Sequence, residues 1–596
     1  MVNRMKHKYT FRERFLEICR GGVLGISEVI CLYLFVTSIF FTCLIWYDHE
    51  MTHYIKDFPW LIMPGLIGLV FLAYLARNPI RKFLARNRVL LFAATVVWLV
   101  IMILFIRNTN TVPVYDQALI YRGMKSFAEG NYELWKQGEY FYLYPFQSGI
   151  VLLYAPIALL FPANIFLAVQ YTNVAFYLLL VIGIYKLTAR YFNASAATCT
   201  YLATLYLFPL WGYVKYLYGN LPGIAISMWA FYLISEFVST RKYRFLAGGT
   251  ICLSIAAVFK TNFYIHMIAI LIFLLLEALR QKRICFVFSA MILFAGVMLA
   301  VRIPPLVLHL LSGYDTSNGI PTLHWILMGL RESTIAPGWY NGESGKWFIE
   351  VNFSTEQITQ ESREGIAACL RYFAEDPAYA LRFFSRKIAS IWNDPTFEGF
   401  DVVRRGNLYG TLSYRVKDIL YCGGIVNTIL TLIIDLLQSI YLFGVVLYLM
   451  YCKKEFSIDK MLPLVTMIGG FIFHIFWEAK CQYTIIYFVM FLPYAMRGYQ
   501  KVISMLEQFF DTRREQRALQ TVQRSSFAAN CKTLLRNRSA QKFGALMLLL
   551  IFITINNSYF VTWTFKITTD TADYIWLCKN EDYWRADDYT KEGMDH

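Results

Sequence analysis

The chain has 596 residues, of which 57% are hydrophobic and only 16% are charged, and its net charge is +16. Soluble domains usually carry about 25% charged residues, so the composition excludes an ordinary soluble protein and predicts an all-α polytopic membrane protein. The positive charge does not indicate nucleic-acid binding, because Lys and Arg cluster in short runs between apolar stretches, as in cytoplasmic loops. The twelve cysteines are scattered without a CxxC or Cys/His cluster, which indicates neither a disulfide framework nor a zinc site.

Apolar runs long enough to cross a bilayer recur along the whole chain. The basic N-terminus is predicted to be cytoplasmic, because Lys and Arg favour that side. Thirteen spans then place the C-terminus outside. The predicted spans are residues 21–47, 58–76, 89–106, 166–188, 195–212, 219–238, 245–261, 263–279, 285–303, 426–451, 461–477, 484–497 and 543–562.

The apolar stretch 149–163 is short and contains Pro156 and Pro162. If it crossed the membrane, the basic clusters 241–244 and 280–283 would fall outside. Because charge bias sets the orientation of short loops, we interpret this stretch as an interfacial helix.

These spans divide the chain into six parts. Residues 1–88 form a two-span extension, residues 89–303 a membrane core with a first outer loop at 107–165, and residues 304–418 a large outer loop. Residues 419–497 complete the core, residues 498–542 form a basic cytoplasmic segment, and residues 543–596 hold the last span and an acidic outer tail. No internal repeat is evident, which counts against a transporter built from inverted halves.

Asp116 follows the third predicted span, on the predicted outer side, within Tyr115-Asp116-Gln117. A carboxylate there could act as a general base that takes the proton of an acceptor hydroxyl while its oxygen attacks a sugar. It could equally be the N-cap of the amphipathic helix that begins at this point.

The same loop ends in an aromatic run, residues 140–147, that includes Tyr144, Pro145 and Gln147. This run is typical of an interfacial aromatic belt, and it could also be a platform on which a sugar or an isoprenoid packs. Gln147 would supply a neutral hydrogen-bond donor and acceptor.

Charged residues also lie at two predicted outer turns. Lys260 stands between two short spans, where it could bind a lipid phosphate or extend to lipid headgroups. The turn between the spans 461–477 and 484–497 carries Glu478, Lys480 and Tyr483. Glu478 and Lys480 could form a surface ion pair, or Lys480 could bind a phosphate that Glu478 orients.

The large outer loop offers further candidates among its turns, where Trp and Tyr could stack on sugars. We select Arg331 for a phosphate, and His324 and Trp339 for substrate contact. A small packed loop domain would explain the same residues.

At three places these motifs resemble membrane glycosyltransferases of the GT-C fold, most of all bacterial relatives of the protein O-mannosyltransferases. The places are Val114–Gly130, Tyr144–Gly149 and Gly469–Tyr483, and the resemblance in topology covers residues 89–497. Met328-Gly329-Leu330 and Gly338-Trp339-Tyr340-Asn341 are similar to the large loop of Gram-positive members. Two residues depart from the pattern: Asn220 stands where many relatives have an acid, and Gln482 stands where an Arg often precedes the Tyr.

The resemblance implies a GT-C-like bundle that transfers a sugar, with inversion, from a polyprenyl-phosphate donor to a glycan, wall polymer or protein on the outer face of the plasma membrane. It implies Asp116 as the base and Lys260 or Lys480 as the phosphate partner. Tyr115, Gln117, Tyr144, Gln147, His324, Trp339, Glu478 and Tyr483 are then candidate substrate contacts. No cofactor or metal is expected for a lipid monophosphate, because Lys or Arg can offset its charge, whereas a pyrophosphate donor would favour a divalent ion.

Two other classes stay open. A transporter or flippase of lipid-linked glycan would explain the spans, and a non-catalytic membrane scaffold would use the large loop as a partner surface. Replacing Asp116 by Asn separates them, since only an enzyme should lose turnover.

Overall fold

The computed structural model describes residues 10–46, 51–85, 87–316, 318–407, 412–421 and 424–519, with 541–542, 544–546, 548 and 569–570 near the C-terminus. These ranges are mostly α-helical, as the apolar runs predict. The first half contains α1 (Phe11–Phe40), α2 (Pro59–Leu75), α3 (Arg77–Ala85), α4 (Asn87–Asn108), α5 (Asp116–Ala128), α6 (Tyr140–Leu143), α7 (Ser148–Leu160), α8 (Ile165–Tyr191), α9 (Ala194–Leu205), α10 (Phe208–Trp211), α11 (Asn220–Thr240), α12 (Tyr243–Phe259), α13 (Tyr264–Gln281) and α14 (Cys285–Ala300).

The second half begins with the small helices of the predicted large loop and returns to long apolar ones. These are α15 (Ile303–Ser312), α16 (Thr322–Gly329), α17 (Glu343–Glu350), α18 (Thr355–Glu375), α19 (Pro377–Trp392), α20 (Asp401–Arg405), α21 (Tyr414–Leu420), α22 (Ile425–Tyr451), α23 (Leu462–Phe476) and α24 (Ile485–Leu519).

A small sheet interrupts the predicted first span. Helix α1 ends at Phe40, and β1 (Phe41–Trp46) pairs antiparallel with β2 (Met51–Lys56), while β3 (Thr569–Asp570) pairs parallel with β2. The apolar run through residue 47 therefore contains a strand at its end, because the aromatic and branched residues of 41–46 suit an extended chain that has a partner. Apolar periodicity alone does not distinguish these two states over six residues.

Seven helices in the described ranges are long and apolar enough to cross a membrane, and nine if each of two bent helix pairs counts as one span. They indicate a multi-pass membrane protein. Helices α12 and α23 are apolar but shorter, and α9 ends at Leu205, before a separate short helix that carries Pro209 near its start. The prediction of thirteen spans therefore stays a prediction. Residues 520–540, most of the predicted span 543–562 and most of the tail 563–596 lie outside the described residues.

The stretch predicted to be interfacial forms α7, which has 13 residues. At 1.5 Å per residue it is about 20 Å long, less than the roughly 30 Å of a bilayer core. It meets the preceding helical segment at 111°, and it packs against α5. Its length and this bend are compatible with an interfacial position, which stays a prediction.

Ion pairs join the helix ends that charge bias assigns to the cytoplasm. Arg190 binds Glu236 with an N–O distance of 2.5 Å, and Arg497 binds Glu455 at 2.7 Å. Glu507, on the polar continuation of α24, pairs with Arg77 and Arg81 beside α2. The pairs of Glu507 fasten residues 77–81 to α24, whereas the other two pairs join helices within the core.

The large loop is fastened to the core by Lys387, which is fully buried in α19. Its ammonium group donates to the carbonyl oxygens of Gly329, Ile475 and Trp477, the last two at 2.9 and 2.8 Å. These carbonyls belong to the ends of α16 and α23, where the helices leave carbonyls without helical partners. Next to them, the amide of Ala479 donates to the Gly338 carbonyl at 2.8 Å. One cation thus holds the loop against the turn after α23.

We predict that Lys387→Met will lower the stability of the protein in detergent. Three buried carbonyls lose their donor, and each unsatisfied group costs about 1–3 kcal/mol, so the unfolding midpoint should fall by several degrees or the protein should fail to assemble. A control, Lys346→Met, alters an exposed lysine of α17 and should unfold like the wild type. Equal midpoints for both variants would contradict the role of Lys387.

Candidate functional site

Five separate segments bring polar side chains together at one end of the helix bundle. They are the start of α5, the aromatic run 140–147, the turn before α11, the end of α12 and the turn between α23 and α24. All five lie on the side that the sequence predicts to be external. The side chains that meet here are Asp116, Tyr140, Tyr144, Gln147, Tyr218, Asn220, Lys260, Glu478, Lys480 and Tyr483.

Asp116 is the first residue of α5, and the N-cap position belongs to Tyr115, whose side chain makes no cap hydrogen bond. The carboxylate of Asp116 is therefore not used as an N-cap, the alternative that the sequence leaves open. It accepts a hydrogen bond from the hydroxyl of Tyr140. The pKa of Tyr140 is raised, mainly by burial and secondly by the charge of this carboxylate. The base candidate is thus oriented by a phenol that keeps its proton.

Tyr115 itself is strained and exposed. Its φ of 53° lies in the left-handed region, which large side chains rarely adopt, and 64% of its surface is accessible. The guanidinium of Arg405 lies 4.8 Å from its ring centre. The strained position directs the backbone so that α5 starts at the cluster.

Lys260 lies at the centre of the cluster. Its ammonium group donates to the side-chain oxygen of Asn220 and lies 4.7 and 4.4 Å from the ring centres of Tyr218 and Tyr483. Gly219 allows this arrangement, because a Cβ there would lie 2.1 Å from the carbonyl oxygen of Phe259.

Opposing effects of its neighbours set the pKa of Lys260. Burial and the neighbouring ammonium of Lys480 lower the pKa of Lys260 to about 7, although Glu478, Glu398 and Asp116 act in the opposite direction. This cation can consequently gain or lose its proton near neutral pH.

Lys480 and Glu478 form the charged part of the turn after α23. Burial lowers the pKa of Lys480, but the carboxylates of Glu478, Asp116 and Glu398 outweigh it and leave that pKa above its usual value. Burial raises the pKa of Glu478, and Lys480 opposes that effect. The hydroxyl of Tyr483 donates to Glu478 at 3.2 Å. Lys480 is therefore a permanent cation beside one that titrates.

Gln117 and Gln147, both predicted as substrate contacts, make hydrogen bonds that support the cluster. Gln147 donates to the Tyr218 hydroxyl at 2.6 Å, and Gln117 accepts from the backbone amide of Leu217 at 2.9 Å. Both are buried. Tyr144 lies beside them, hydrogen-bonded to Tyr340 and within the electrostatic reach of Asp116. The glutamines position the turn 217–220, while Tyr144 joins the first loop to the large one.

The large-loop candidates lie in different surroundings. Arg331 pairs with Glu343 at 3.7 Å and covers the ring of Trp347. His324 is buried within hydrogen-bonding distance of Ser362. Trp339 is buried and donates to Ser390 at 2.8 Å. Their contacts fit the packed loop domain that the sequence also allows, and a substrate role for them stays a prediction.

A small, partly open apolar crevice of about 30 Å³ lies beside Lys260. Polar groups from Asn220, Asn262 and Gln482 border it, and its wall is apolar. The wall consists of Leu210, Leu221, Ile224, Phe263, Ile485, Ile486 and the rings of Tyr213, His266 and Tyr487. The crevice places an apolar surface next to the side chain of Lys260.

Sequence reasoning missed four members of the site as functional residues, namely Tyr140, Tyr218, Asn220 and Glu398. Tyr140 belongs to the aromatic run but was not distinguished from its neighbours, and Asn220 was noted only as a departure from an acid. Glu398 gave no sequence signal, because it is about eighty residues away from Lys480 along the chain. In the described part of the chain, no group of three or more His, Cys, Asp or Glu side chains is arranged to hold a metal ion.

No protein-family model matches the chain, and no curated protein matches it. Among solved structures, the chain is similar to the archaeal oligosaccharyltransferase AglB from Archaeoglobus fulgidus, in complex with an inhibitory peptide and a dolichol-phosphate. The TM-score is 0.36 at 13% sequence identity, over 83% of this chain. The chain spans 59% of the length of that protein. A TM-score this low establishes neither a shared family nor a shared activity.

We predict that a small acylating reagent will distinguish the two lysines. Only the neutral amine reacts, and a pKa near 7 leaves Lys260 mostly neutral at pH 8 while Lys480 stays charged. Acetic anhydride at pH 8 should label Lys260 first, as measured by mass spectrometry of peptides, with exposed Lys346 as an internal reference. Faster labelling of Lys480 than of Lys260 would contradict this assignment.

Proposed function

We propose that the protein transfers a sugar from a polyprenyl-phosphate donor to an acceptor on the outer face of the plasma membrane, with inversion and with Asp116 as the general base. The observation that carries the proposal is that Asp116 shares one site with two lysines at the mouth of an apolar crevice. A base, a cation pair that can bind phosphate and an adjoining apolar surface are three parts that this reaction uses.

The proposed reaction gives Asp116 the role of base and gives the two lysines the role of stabilising the leaving group. Asp116 takes the proton of an acceptor hydroxyl as its oxygen forms a bond to the anomeric carbon of the sugar. The bond between that carbon and the phosphate oxygen breaks with its electron pair, and the lipid phosphate leaves. Lys480 and protonated Lys260 stabilise the charge that develops on the leaving oxygen. Attack opposite the leaving group inverts the anomeric centre.

The acceptor is a glycan, a wall polymer or a protein in this proposal. Tyr340 on the large loop is 39% exposed and hydrogen-bonded to Tyr144. Aromatic rings beside a base suit the apolar face of a sugar. Aromatic contacts do not specify which sugar is bound.

We predict that Asp116→Asn will reduce transfer by about 10²–10⁴-fold, the usual contribution of a general base. The measurement is transfer of radiolabelled sugar from a panel of polyprenyl-phosphate sugars in proteoliposomes. Glu129→Gln, at the far end of the same helix and outside the cluster, is the matched control and should keep full activity. Undiminished transfer by a folded Asp116→Asn protein would move the base elsewhere. Absence of transfer by the wild type with every donor would favour a transporter or a scaffold.

We predict that affinity for a lipid phosphate is greatest at about pH 6–7. A phosphate monoester gains its second charge near pH 6, which strengthens binding as the pH rises to that value. Above about pH 7, Lys260 loses its proton in the free protein, so the affinity should fall. A bound phosphate raises the pKa of Lys260, and the fall should end once the pH exceeds that higher value. Binding of farnesyl phosphate to the protein in nanodiscs, measured from pH 5.5 to 9, tests this.

The Lys260→Met variant should bind more weakly at pH 6 and lose the decline above pH 7. Lys346→Met should reproduce the wild-type profile. A wild-type affinity that rises steadily to pH 9 would contradict the assignment of Lys260.

A further inference from the structure

The segment that joins α19 to α20 enters the protein core and carries two buried acids, Asp394 and Glu398. Phe397 and Glu398 have φ angles of 49° and 56°. Two successive non-glycine residues in the left-handed region are unfavourable and persist only where the surroundings impose them. The backbone here is shaped to place the Glu398 side chain.

The surroundings that impose this shape are identifiable. The hydroxyl of Tyr213 donates to the Phe397 carbonyl at 2.6 Å, and that of Tyr216 donates to the Glu398 carbonyl at 3.2 Å. Gly212 lies so close that a Cβ would be 1.6 Å from the carbonyl oxygen of Gly399. The strained segment is therefore held directly against the turn that leads to α11.

The carboxylate of Glu398 contacts the turn after α23. One oxygen lies 3.2 Å from the Cys481 sulfur, whose single proton is shared with Asp394, and it accepts from the backbone amide of Gln482 at 3.4 Å. Lys480 immediately precedes these residues. The electrostatic effect of Glu398 reaches both cations and raises the pKa of Lys260 and of Lys480. Glu398 thus acts on the cluster from a segment that no sequence motif marks.

We propose that Glu398 is a positioning residue that acts on Lys260 and Lys480 through its charge and fixes the pH range in which the site accepts a phosphate monoester. It does not contact the reacting atoms and acts through the two lysines. The ligand part rests on the proposed function, whereas the effect on the lysines does not.

Other ionisable groups face the same residues, so the test must separate Glu398 from them. Those that interact with the lysines, besides Glu398, include Asp116, Glu478, Tyr218 and His474. Those that face Glu398 from neighbouring elements are Cys481, Asp394, Tyr213, Tyr216 and Tyr483. Asp394 is the matched control, because it is a second buried acid of the same segment and its carboxylate accepts from the amide and hydroxyl of Thr396.

The first experiment measures the lysines directly. The rate of acetylation of Lys260 by acetic anhydride is followed from pH 5 to 10 in the full-length protein. Glu398→Gln should move the midpoint of Lys260 downwards by about one unit, the size expected for loss of a nearby opposite charge. Asp394→Asn should leave the midpoint in place. An unchanged midpoint in folded Glu398→Gln, or an equal shift in both variants, would overturn the proposal.

A conservative variant keeps the test decisive if Glu398→Gln does not fold. Glu398→Asp retains the charge but withdraws it by one methylene group, and it should move the Lys260 midpoint downwards by less. A folded Glu398→Asp protein with the wild-type midpoint would overturn the proposal.

The second experiment measures ligand binding with farnesyl phosphate in nanodiscs. Glu398→Gln should move the decline in affinity to lower pH. At pH 6 it should bind at least as well as the wild type, because one repelling anion is gone. A uniform loss of affinity at every pH would indicate a merely structural role and overturn the proposal. If the wild type binds no farnesyl phosphate, the proposed function fails, while the acetylation result still decides the role of Glu398.

Discussion

The arrangement of the site depends on one buried lysine, Lys387. Helix ends that meet inside a protein must find partners for their last carbonyls, since no water is present to supply them. Lys387 supplies three donors from a single atom and thereby fixes the end of α16 against the end of α23. The turn that follows α23 carries Glu478 and Lys480, so its path is set by a residue of the large loop. Loop and core are consequently one unit at the place where the chemistry is proposed.

Electrostatics then defines what the site can accept. Two ammonium groups stand among the carboxylates of Asp116, Glu478 and Glu398 in a partly buried volume. Coulomb interactions are stronger there than in water, so each charge depends on the others. The lysines differ in consequence: Lys480 is surrounded by acids, whereas Lys260 rests on aromatic rings and an amide. Binding of an anion would therefore add a proton to Lys260, whereas Lys480 would keep the charge that it already has.

Much of the fold followed from the sequence, because apolar length is a strong signal for a helix in a membrane protein. The helical character and the position of the helix at Ser148–Leu160 agree with that pattern. The strands at 41–46 and 51–56 did not follow from it, since a short apolar run is compatible with either state until its partner is known. The site was predictable where a charge stood beside an apolar run, as for Asp116, Lys260 and Lys480. Glu398, Tyr140 and Lys387 depended on contacts between distant segments, which no single stretch of sequence encodes.

The separation of those segments along the chain has a consequence for biosynthesis. The charged groups of the cluster come from positions as far apart as 116 and 480, and the crevice needs residues up to Tyr487. Contacts of such long range form late, after the intervening chain is in place. A ribosome-bound chain that has inserted only its first two-thirds contains Asp116 and Lys260 without the turn that completes the pocket. The paired lysines of the cluster therefore exist only once the last third of the chain is in place.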